Sequence, residues 1–193
     1  MYGTSPRIVA VVTTLSLVNV ERVRGSIARA HEVAAARFRE RFPLPPSAYR
    51  ELLAEALLES VEGVRFDGDV EDIRYPDFTI ERTPEAIFAY WLVVSEMIAT
   101  ATWAMTKVIA TREEYDDALK RMQSPQLVRV LIPSFLPRVE LRDDGTALLE
   151  AVVYTRAVEE RIERRQLILD TVNELHYHGR ELLAEGRGGV VVR

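Results

Sequence analysis

Apolar residues recur along this chain in three rhythms, and each predicts a different element. Residues 7–18 form a run rich in Val, Ile and Thr behind Pro6, which reads as a strand covered on both faces. Val20, Val23, Ile27, Ala30, Ala34 and Phe38 then repeat every three or four positions, the stripe of an amphipathic helix over 20–41 with Asn19 as its N-cap. Phe42-Pro43-Leu44-Pro45-Pro46 ends that helix, because proline cannot continue it. Ser47 opens a second helix over 48–62, with Tyr49, Leu52, Leu53, Ala56 and Leu57 as its stripe and Gly63 closing it. Val64-Arg65-Phe66 and an acidic loop at 67–72 follow, and 78–81 reads as a strand.

Thr83-Pro84-Glu85 is a helix start: a hydroxyl cap, a proline in the first turn and an acid at the positive end of the dipole. The helix it opens is apolar almost all round and predicts one long element over 84–110, about 40 Å at 1.5 Å per residue. A polar helical continuation covers 112–122. Residues 126–132 read as a strand ending at Pro133, and 138–142 and 146–154 flank Asp143-Asp144-Gly145, a hairpin turn. A long C-terminal helix is expected over 156–185, then a glycine-rich stretch and an edge strand at 190–192. The whole reads as one α+β domain over 1–193, a mixed, mainly antiparallel sheet with helices packed on it.

Composition narrows the function classes. There is no cysteine, so disulfide frameworks, zinc–thiolate sites and thiol nucleophiles are excluded. The net charge is −5, which argues against a general nucleic-acid binder; Arg22, Arg29 and Arg39 share their helix face with Glu32 and Glu40. All but two of the 25 basic residues are arginine, which a GC-rich genome explains first and life at high temperature second. The 7–18 run is too short to span a bilayer and lies ahead of Glu21, Arg22 and Arg24, unlike a signal peptide. The 86–106 run is long enough, but carries Glu96 near its centre, where lipid makes a charge costly. The expectation is a cytoplasmic protein that binds neither nucleic acid nor membrane.

The apolar helix dictates the main functional expectation. A helix apolar on every side must be enclosed, either by its own chain or by a second subunit. A domain of this size has few places to surround 40 Å of helix, so the 84–110 segment is expected to contribute to a homodimer interface through Tyr90, Trp91, Met97, Trp103 and Met105. That reading makes the chain a homo-oligomeric binding or structural protein, with a small-molecule ligand allowed. The alternative is an enzyme built on Glu96, the only charged residue from Ala86 to Thr106, with His31 or His176 from the apolar stripes of two other helices. Two histidines and a carboxylate are a catalytic metal set, so a divalent ion belongs to that alternative.

Weaker signals complete the inventory. Thr13, Thr14, Ser16 and Asn19 lie at a strand-to-helix junction, where hydroxyls and helix N–H groups can hold a ligand, but no glycine-rich phosphate loop accompanies them. Asp170, Glu174 and His178 share one face of the expected C-terminal helix, opposite its apolar stripe and therefore in solvent. The 67–72 loop fails the EF-hand pattern, with Asp72 where glycine is required. Neither a Walker, a Rossmann, a G-x-S-x-G nor an H-E-x-x-H motif occurs.

Overall fold

The computed structural model describes residues 10–68, 73–102, 105–128, 132–156 and 159–187, without the side chains of 46, 98–105 and 187. Its elements run β1 (Ala10–Thr14), α1 (Leu17–Glu40), α2 (Pro46–Ser60), β2 (Val64–Phe66), β3 (Phe78–Ile80), α3 (Pro84–Thr102), β4 (Met105–Ile109), α4 (Arg112–Arg121), β5 (Gln123–Leu127), β6 (Arg138–Arg142), β7 (Ala147–Arg156), β8 (Glu159–Leu169) and β9 (Leu175–Arg187). This is an α+β fold. Seven strands form one sheet in the order β1-β6-β7-β8-β9-β5, with β4 paired to β7 beyond the end of β6, and β2 and β3 form a separate ribbon. Every strand pair is antiparallel.

Strand alternation gives β7 two cores to serve. Ala147, Leu149, Ala151 and Val153 join a large cluster with α1, α2 and α3. Val152, between two of them in sequence, turns the other way and joins Ile162 and Leu183 beneath Tyr115 and Ala118 of α4. The sheet is thus sandwiched, three helices on one face and one on the other.

The stripes of α1 and α2 lie where their periodicity places them. The boundaries differ slightly: the run at 7–18 gives only a short strand, and α1 starts at Leu17 because Ser16, not Asn19, is its N-cap, its hydroxyl accepting from Asn19 N at 3.2 Å. The Asp-Gly turn forms as expected, with Gly145 at φ +81, the left-handed conformation it is there to supply.

Two helix expectations are overturned. The apolar helix does not run to 110. It ends at Thr102, and Met105–Ile109 leaves as β4 to pair with β7, which the β-branched Thr106, Val108 and Ile109 favour. The polar segment after it is a separate helix, α4, capped by Thr111, whose hydroxyl accepts from Glu114 N at 3.2 Å. The larger correction concerns 156–185. This is the β8–β9 hairpin, not a helix. Its Glu, Arg and Leu residues have good helix propensity, but β7 offers a ten-residue edge to pair with, and tertiary pairing outweighs propensity. The charges suited to i,i+4 helix pairs bridge across strands instead: Arg164 lies 3.7 Å from Glu150 of β7 and 3.4 Å from Glu181 of β9. The edge strand expected at 190–192 lies outside the described residues.

Polar groups fasten the hairpin at both ends. Glu160, 2% exposed, accepts from Tyr154 Oη at 2.8 Å and from Gln123 N at 3.1 Å, holding the start of β5. Burial and that carboxylate together push the Tyr154 hydroxyl up to about 12. At the other end, Asn173 at φ +66 forms the turn. Its Nδ2 donates to Phe78 O at 2.6 Å, its Oδ1 accepts from Arg82 at 3.1 Å, and its carbonyl accepts from Tyr90 Oη at 2.7 Å. One residue therefore ties the hairpin to β3 and α3. Asn173→Ala removes both side-chain bonds and strains the backbone, and is expected to cost about 2–3 kcal/mol in urea denaturation. Asn173→Gly, which keeps the backbone freedom, should cost measurably less; equal losses would mean that strain plays no part.

Candidate functional site

Two of the three residues expected to form an acid–base site do meet. His31 stands midway along α1 and Glu96 three turns into α3, and the helices bring His31 Nε2 to 3.1 Å from Glu96 Oε2. Tyr49, from the first turns of α2, presents its hydroxyl at 3.5 Å from His31 Nδ1, a distance too long for a strong bond. Phe38 packs edge-on against the Tyr49 ring, with centroids 5.8 Å apart. The pair is partly open to solvent, His31 at 38% and Glu96 at 29% side-chain exposure, so Glu96 is not the isolated buried carboxylate that its apolar helix suggests. Tyr49 is a member the sequence reading placed only on an apolar stripe; its spacing gave no hint that its hydroxyl end would reach a histidine.

His176 does not join them. It lies on β9, exposed, with Nε2 at 2.9 Å from Asp170 Oδ2. Asp170 Oδ1 accepts from the N–H groups of Val172 and Glu174 at 2.9 Å each, so one carboxylate closes the β8–β9 turn and pairs with the histidine. A strand brings Asp170, Glu174 and His176 within 4.8 Å of one another, where the expected helix face would have offered His178. Those bonds within the turn account for the arrangement.

The junction residues are engaged in structure. Ser16 caps α1, and Asn19 Nδ2 donates to Glu85 Oε1 at 2.6 Å, tying the first turn of α1 to that of α3. Thr13 and Thr14 lie on β1, opposite Val139 and Arg138 of β6.

A larger concavity opens beside that tie. A cleft of about 370 Å³ lies between α1, the end of α2 and the start of α3. Small residues make the space: Ser26, Gly63, Ala86 and Ala89 line it, and a Cβ on Gly63 would come within 2.7 Å of the Ala86 Cβ. Ser26 is buried and accepts from Arg29 Nη2 at 3.1 Å. Arg22 and Arg29 give the α1 side a positive wall, while Glu62, Glu81 and Glu85 line the opposite side. A second cavity, about 180 Å³ beneath Val94 and Met97, is below the usual size for a ligand site. Arg22 and Arg29 read from sequence as a mixed solvated face; only the packing of α3 across α1 turns that face into a wall.

The expected subunit interface meets a different environment. Tyr90, Trp91, Val93, Val94 and Met97 are all buried within the chain itself. Trp103 lies outside the described residues, and the Met105 side chain with it. Among the described residues, no helix is long and apolar enough to cross a membrane. Compared with protein-family models, curated proteins and solved structures, the chain matches none.

The His176–Asp170 pair carries a pH signature. The hydrogen bond that His176 donates to Asp170 raises the histidine above the ordinary 6.5. Burial works against ionisation of Asp170, but the His176 bond and the backbone N–H groups of Glu174 and Val172 outweigh it and lower the carboxyl below 3.8. The stabilisation from His176 is full below 6.5 and fades as pH rises through its raised value; that from Asp170 fades as pH falls through its lowered one. An NMR titration of the His176 ring should give a midpoint above 6.5, and Asp170→Asn should return it toward 6.5. An unshifted wild-type midpoint would mean that the pair does not form in solution.

Proposed function

We propose that this chain is a self-associating binding protein that holds a small polar molecule in the cleft between α1, α2 and α3. The observation that carries the reading is the cleft itself: ligand-sized, shaped by Gly63, Ala86 and Ala89, and lined by opposite charges on facing walls. Walls of opposite sign suit a molecule bearing both an anionic and a cationic group. The arginines would grip the anionic end in charge-assisted bonds, and the carboxylates would hold the cationic end. Native mass spectrometry of gently purified protein should show a retained small molecule, and the double variant Arg22→Ala, Arg29→Ala should bind it at least about tenfold more weakly. Equal retention by the variant, or no retained mass with no stabilisation by zwitterionic metabolites in a thermal scan, would remove the cleft from consideration.

An enzymatic reading is favoured by one specific observation, the 3.1 Å contact between His31 and Glu96. A histidine held by a carboxylate on one nitrogen is the arrangement of a general base, and the partial exposure of both leaves room for a substrate or a divalent ion. Under that reading Glu96→Gln abolishes metal or ligand retention and leaves the melting temperature nearly unchanged. A shift in melting temperature alone assigns the pair to the packing of α1 on α3.

A further inference from the structure

Every strand that ends a sheet exposes unpaired backbone groups, and proteins blunt such edges to prevent unwanted pairing. Two free edges of the large sheet are blunted here. On β5, Pro125 removes a donor, the register shifts between Gln123 and Gln126, and Ser124 adopts φ +51. On β4, the Arg24 guanidinium donates to the Val108 carbonyl, and Glu114 Oε2 accepts from Ala110 N at 2.7 Å just past the strand.

The third edge, β1, has no such device among the described residues. Among the described residues it pairs with β6 alone, in unbroken register from Ala10↔Arg142 to Thr14↔Arg138. Its sequence, Ala-Val-Val-Thr-Thr, contains no charge, proline or glycine and is β-branched at four of five positions. Val11 and Val12, which point to opposite faces, are 61% and 48% exposed, and Leu17 and Val18 extend the apolar patch onto the first turn of α1 at 42% and 76%.

We infer that β1 pairs antiparallel with β1 of a second copy of this chain, joining two sheets across a twofold axis at Val12. The inference rests on the self-association proposed above and names its surface. The strand is self-complementary in that arrangement: Val12 meets Val12, Val11 meets Thr13, and Ala10 meets Thr14, with no charge opposed to a like charge. The exposed Leu17 and Val18 of both copies lie beside the join. The buried α3 helix, by contrast, has Tyr90, Trp91 and Met97 already enclosed within its own chain.

The dyad supplies its own test. Val12→Lys and Val12→Glu alter a half-exposed side chain, so each variant should keep the wild-type far-UV spectrum and a cooperative thermal transition, lowered only by the lost association. Each should dissociate at least about tenfold more readily than wild type by native mass spectrometry and light scattering, because like charges then oppose each other at the axis. Mixing the two variants should restore a dimer holding one copy of each. A wild-type monomer would overturn both this pairing and the self-association it rests on. A dimer that survives both substitutions would overturn this surface alone. Two folded monomers that fail to form the mixed dimer would overturn the Val12 axis.

Discussion

The structure depends on enclosing one helix. From Ala86 to Met97, α3 presents apolar groups on every side, with Ile87, Phe88, Tyr90 and Val93 entirely buried. A surface helix needs to be covered along one stripe, whereas this one needs cover all round. The sheet supplies one wall through Leu149, Val153 and Leu167, and the α1–α2 hairpin supplies others through Ile27, Ala30, Leu53 and Leu57. The Ala residues of α1 and α2 matter here because small side chains let helices approach closely. The Tyr90 hydroxyl, carried inward on a fully buried side chain, finds the Asn173 carbonyl, as a buried donor must.

That demand also explains the long β-hairpin. Once β7 lies against α3, its full length offers an edge, and β8 and β9 extend the sheet from it. Its strands carry ion pairs beside their buried apolar residues. Arg164 between Glu150 and Glu181, and Arg165 between Glu163 and Thr155, are the sheet counterparts of helix-surface charge pairs.

The functional features lie where α3 meets its helical cover. At its start, the contacts with α1 and the end of α2 are made by Ser, Gly and Ala, and a cleft remains; three turns further on, Glu96 meets His31. Both are consequences of laying an apolar helix across an amphipathic one: where side chains are too small to fill the crossing there is space, and where polar groups face each other there is a pair. The cleft joins opposite charges around a volume suited to a small molecule, which is why it, rather than the histidine pair, carries the functional reading.

The sequence by itself determined the elements whose physics is local. Periodicity of 3.6 marks α1 and α2, Thr83-Pro84-Glu85 marks the start of α3, and Asp143-Asp144-Gly145 marks the β6–β7 turn, because caps and turns are set by neighbours along the chain. It also singled out Glu96 and His31 as polar residues on apolar stripes. Only the tertiary structure decided the rest. Residues 156–185 have a helical composition and become strands because β7 offers partners that no local rule can see. The 105–109 segment leaves α3 for the same reason. Tyr49 joins His31, His176 does not, and Arg22 and Arg29 become the wall of a cleft, because each outcome turns on which residues distant in sequence are brought face to face, and one residue's shift in strand register or a quarter-turn of a helix would have paired others.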